Sequence, residues 1–68
     1  METPLEVCER HVAEGHVRIR RQLDLIYALE KAGNVGMLHQ ARLVLGEVMG
    51  FQRAAEEQLE RERLRKAE

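Results

Sequence analysis

Apolar residues recur every three or four positions through two long stretches, with one glycine-bearing break between them. In the first stretch Leu5, Cys8, Val12, Ile19, Leu23 and Ile26 fall on a single stripe at helical spacing. Four of these, Leu5, Val12, Ile19 and Ile26, stand seven apart, the repeat of helices that pack lengthwise. The predicted helix spans about residues 4–32. Its start is marked by Thr3-Pro4-Leu5-Glu6: a capping threonine, a proline at the first helical position and a glutamate that can reach back to the cap. Towards its end Leu25, Tyr27, Ala28 and Leu29 make it apolar on more sides, and His16 is expected near the middle of the stripe. Gly15 reads as a weak point, costing about 1 kcal/mol against alanine. Lys31-Ala32-Gly33-Asn34 puts a cation in the last turn and then a glycine suited to a left-handed cap, so a turn is expected at about residues 33–36.

The second stretch is predicted helical over about residues 36–65. Met37, Leu38, Ala41, Val44, Leu45, Val48, Met49, Phe51, Ala55 and Leu59 occupy an arc of about 160° on it, more than one neighbouring helix can cover. His39, Leu43, Gly46 and Gly50 line up on the side away from that arc. Two interior glycines cost about 2 kcal/mol together, so the Gly46–Gly50 stripe is either a groove for another backbone or an exposed face where they are merely tolerated. After Leu59 the chain is almost all charge, and a solvated, barely packed helical end is expected there, with Glu57–Arg61 and Glu62–Lys66 as supporting pairs.

A short connection forces the second helix back along the first, so the predicted architecture is all-α: one antiparallel two-helix hairpin. Two helices of about 30 residues make a rod with no interior, and one seam of contacts roughly cancels the entropy of ordering so short a chain. Self-association into a twofold four-helix bundle is therefore expected, through an interface drawn from Leu25, Leu29, Leu38, Leu43, Leu45, Gly46, Val48, Met49 and Gly50. Of these, Leu25, Leu29, Leu43 and Met49 are placed off the hairpin seam.

Composition narrows the chemistry. The chain has 68 residues, 34% of them charged, with one Phe, one Tyr and no Trp, as in long helices. A formal net charge of −1 with interspersed signs gives no global field towards nucleic acid or an anionic membrane. The densest basic cluster, Arg18, Arg20 and Arg21, has Glu14 and Asp24 beside it and no aromatic rings for stacking on bases, so it reads better as a solvated face or a docking surface for an acidic protein partner, with a nucleic-acid-associated protein left as a weaker alternative. One cysteine excludes an internal disulfide framework and fits a reducing compartment. No run approaches a membrane span and no secretory signal is evident, so a cytoplasmic location is expected.

Catalysis is not expected: no serine is present, no glycine-rich phosphate loop occurs, and a bundle of this kind fills its own interior. No cofactor is implied. Cys8 and His11 share a helix face and His16 follows, which leaves a metal- or thiol-sensing hairpin as an alternative, without the second ligand pair that would complete a site in one chain.

The run Arg10-His11-Val12-Ala13-Glu14-Gly15, followed by Ile19, Arg21-Gln22 and Leu29-Glu30, resembles a pattern in short helical-hairpin proteins of alpha-proteobacteria. The resemblance covers most of the first helix and only the general character of the second, and Gly46 and Gly50 lie outside it. It implies a hairpin of bacterial origin and no activity. The reading is a small non-catalytic interaction or regulatory module acting as a homodimer.

Overall fold

Thr3 opens the first helix by a capping box: its hydroxyl accepts from the Glu6 backbone N–H at 3.1 Å, and its own N–H donates to the Glu6 carboxylate at 2.9 Å. The helix, α1, runs Pro4–Ala32. Gly33 stops it at φ 70, the left-handed conformation in which a side chain would be strained. The Gly33 and Asn34 N–H groups turn back to the Glu30 and Leu29 carbonyls, both at 3.1 Å, which satisfies two of the orphaned acceptors at the helix end. Asn34 then caps the second helix, its Oδ1 accepting from the Met37 N–H at 3.2 Å. That helix, α2, runs Val35–Ala67.

The computed structural model describes residues 1–67 and shows an antiparallel hairpin, a rod 52 × 19 × 14 Å, with no strand among the described residues. The least exposed residues define the seam. On α1 they are Leu5, Cys8, Val12, Gly15, Ile19, Gln22, Ile26 and Leu29; on α2 they are Leu38, Ala41, Leu45, Val48, Gln52, Ala55, Leu59 and Glu62, with Val7 and Gly50 the other half-buried positions among the described residues. Each set alternates steps of three and four without a break, so it stays on one face of a helix over seven turns.

Three expectations change here. Leu29 lies in the seam, not beside it, because it completes the alternation begun by Gln22 and Ile26. Leu23, Met37, Val44, Met49 and Phe51 are exposed, because each stands one step off that alternation. The charged tail after Leu59 is exposed through Ala67 except at Glu62, a half-buried seam position at the α1 N-terminus. Glu62 pairs with Arg65 at 3.0 Å rather than with Lys66.

Two seam positions are glutamines, and each donates across the hairpin. Gln52 gives its Nε2–H to the Val12 carbonyl at 2.9 Å, and Gln22 gives its own to the Ala41 carbonyl at 2.8 Å. Buried amides cost free energy unless bonded, so these two bonds set how the helices align lengthwise. Gly15 faces Gln52 so closely that a Cβ there would overlap the Gln52 amide. The glycine read as a weak point is therefore the space in which a 6% exposed glutamine lies.

The seam does not make a thick core. Cys8, Ile26, Ala41 and Leu59 are the only buried apolar residues among those described, and no large side chain is fully enclosed.

Candidate interaction surface

Along the rod, the positions beside the seam form two flanks of different character. On one flank Arg42 reaches Glu30 at 3.5 Å as an ion pair, and His16 Nε2 lies 3.9 Å from the Glu56 carboxylate. Leu23 and Met49 stand between these pairs, each seven residues from a member of both. All of these groups are exposed to water, so the pairs fix little energy.

The opposite flank has no ion pair between the helices among the described residues. Near the turn it opens into an apolar groove walled by Leu25 and Leu29 from α1 and by Met37 and Val44 from α2, with Gln22, Gln40 and Ala41 completing the lining. Phe51 continues the row of Met37 and Val44 at the same seven-residue step. Exposure is high throughout: 44% for Leu25, 57% for Met37, 41% for Val44 and 73% for Phe51. Scattered apolar residues need no explanation on a protein surface, but a contiguous apolar row on one side of a rod does.

The expected interface residues are distributed unevenly over these surfaces. Leu38, Leu45 and Val48 are half-buried seam residues, used up within the hairpin. Leu25 lines the groove, Met49 lies on the ion-paired flank, and Leu43 faces water on the back of α2. Gly46 is exposed and Gly50 half-buried, and a Cβ at either would meet nothing within 4 Å in the hairpin.

The arginine cluster divides in the same way. Arg18 and Arg21 edge the groove flank together with Glu14 and Val17. Arg20 does not join them, because two residues along a helix amount to roughly 200° of rotation. Arg10 lies between Glu2 and Glu14 at 3.0 and 2.8 Å, which raises the affinity of its guanidinium for its proton and holds the Glu14 carboxyl below the usual carboxylate range. The Thr3 backbone N–H, ahead of its hydroxyl, lowers Glu6 in the same sense.

Cys8 and His11 line one small groove at the far end of the rod, with Pro4, Val7, Ala55, Gln58 and Glu62. The Cys8 thiol is buried in the seam. His16 is not brought to them; it lies on the other flank beside Glu56, and it is exposed rather than central to the stripe. Among the described residues no group of three or more His, Cys, Asp or Glu is placed to hold a metal ion. No helix of the described residues is long and apolar enough to cross a membrane.

Sequence reasoning missed Gln22, Gln52 and Gly15 as the residues that align the hairpin, and Phe51 as part of an uncovered row. The unbroken three-four alternation of α2 was the available signal, since it runs through Gln52 and leaves Phe51 outside. No protein-family model, curated protein or solved structure matches the chain.

Proposed function

We propose that the chain is a small non-catalytic protein–protein interaction module that acts as a homodimer, two hairpins combining into a four-helix bundle. The observation that carries this reading is the uncovered apolar row of Leu25, Met37, Val44 and Phe51 beside a seam that buries only four apolar residues. A two-helix rod with so little interior gains about as much from its seam as it loses in chain entropy, and covering a second face supplies the missing term. The resemblance of the first helix and the single thiol support a bacterial cytoplasmic setting.

Sedimentation velocity of the wild type and of Val44→Asp tests the reading. Val44 is exposed in the hairpin, so the carboxylate costs the single hairpin little but would be desolvated in a dimer. The expected result is a wild-type dimer and a Val44→Asp chain that sediments as a monomer and loses helicity, because the seam alone does not sustain the hairpin. A wild type that sediments at 7.9 kDa at tens of micromolar contradicts it.

A further inference from the structure

The groove flank carries a charge pattern that selects among the ways a second copy could sit on it; this inference rests on the homodimer reading above. Gly15 stands opposite Gln52, which fixes the relative heights of residues on the two helices. Counting six residues along α1 and six back along α2 brings Arg21 level with Gly46, next to Glu47. In the same way Leu25 falls within two residues of the height of Val44, and Arg18 within two of the height of Phe51. Arg21 and Glu47 are both exposed, and neither makes an ion pair with another of the described residues.

Two hairpins can meet face to face on this flank in two twofold ways. With the turns at opposite ends and the apolar rows superposed, each helix crosses its own counterpart. Glu47 then meets the uncharged Gln40 of the mate, and Arg21 lies on the mate's Leu25. With the turns at the same end, α1 of each copy lies on α2 of the other at equal height. Leu25 then meets Val44, Arg18 covers the face of Phe51, and Arg21 meets Glu47, all across the interface. Only this second arrangement pairs the charges while covering the apolar row.

We propose that the homodimer forms through the groove flank with both turns at one end, α1 of each copy packed on α2 of the other, and with Arg21 of each paired to Glu47 of its mate. A rod face of 52 × 19 Å is large enough for the about 800 Å² per partner that stable interfaces bury. Twofold symmetry repeats the charge pair, so each substitution acts twice per dimer.

The test measures dimer dissociation by sedimentation equilibrium for the wild type, Arg21→Glu, Glu47→Arg and the double reversal, with circular dichroism to confirm that each remains helical. Both sites are exposed in the hairpin, so folding of the single copy is unaffected by design. Each single reversal is expected to weaken the dimer roughly tenfold by facing like charges, and the double reversal to restore it. A wild-type dimer that is indifferent to the single reversals, or a double reversal no tighter than the singles, overturns this arrangement and leaves the homodimer standing. A monomeric wild type overturns both. If that monomer also floats with vesicles of phosphatidylglycerol and phosphatidylcholine, a lipid surface occupies the flank instead.

Discussion

Replacing Gly15 with alanine should destabilise the protein even though alanine is the better helix former. In isolation the substitution favours α1 by about 1 kcal/mol. Here the new methyl overlaps the Gln52 amide, so the glutamine side chain must shift, and the expectation is that it leaves the seam. Its 2.9 Å bond to the Val12 carbonyl is then lost, at about 1 kcal/mol, along with the burial of two methylenes at about 0.8 kcal/mol each. The net expectation is a loss of about 1–2 kcal/mol. In a Gln52→Ala background the obstruction is gone, and the same Gly15→Ala change should stabilise by about 1 kcal/mol. The sign therefore inverts, giving a coupling of about 2–3 kcal/mol in a double-mutant cycle. Urea melts followed by far-ultraviolet circular dichroism, all at one protein concentration, measure it. A Gly15→Ala change that stabilises equally in both backgrounds would falsify the alignment of the hairpin by this contact.

Gly46→Ala and Gly50→Ala meet open space, so each should raise stability by about 1 kcal/mol without altering the dimer mass; an alanine that splits the dimer would show that another backbone packs there. Val48→Asp places a charge in the seam and should abolish the cooperative melt, whereas the exposed Leu43→Asp should leave it unchanged, both read by circular dichroism. Thr3→Ala should cost about 1 kcal/mol through loss of the cap. Glu6 has its proton affinity lowered by the cap in the folded state, so its contribution is complete above the ordinary carboxylate range and is lost as pH falls through it. The melting-temperature advantage of wild type over Glu6→Ala should accordingly shrink between pH 7 and pH 3 (roughly the window of carboxylate titration); an advantage that grows on acidification would contradict the assignment.

What could be read in advance was whatever depends on local chemistry. Thr3 and Glu6 act through neighbours three residues away, and Gly33 through its own φ, so both ends of α1 were legible. The seam was only half legible. Its apolar members on α1 stood out, but its alignment rests on Gln22, Gln52 and Gly15, which an apolar pattern passes over. On α2 the exposed Met37, Val44 and Phe51 are as apolar as the seam itself, so a wide arc merged a contact face with an uncovered one. Seam and flank differ by a single step of the repeat, a distinction that hydropathy alone does not make. The arginines show the converse: Arg18, Arg20 and Arg21 are neighbours in the chain, but Arg18 and Arg21 edge one flank and Arg20 does not join them.

The dependence of the unfolding midpoint on protein concentration tests the central claim most directly, because it asks whether the hairpin is sustained by its own seam or by a second copy. Thermal melts from about 1 to 100 µM, with the mass determined at each concentration, should show a midpoint that rises with concentration and a native species of twice 7.9 kDa. A monomer that melts cooperatively at one temperature across that range would show that the seam suffices, and that the row of Leu25, Met37, Val44 and Phe51 is not where two copies meet.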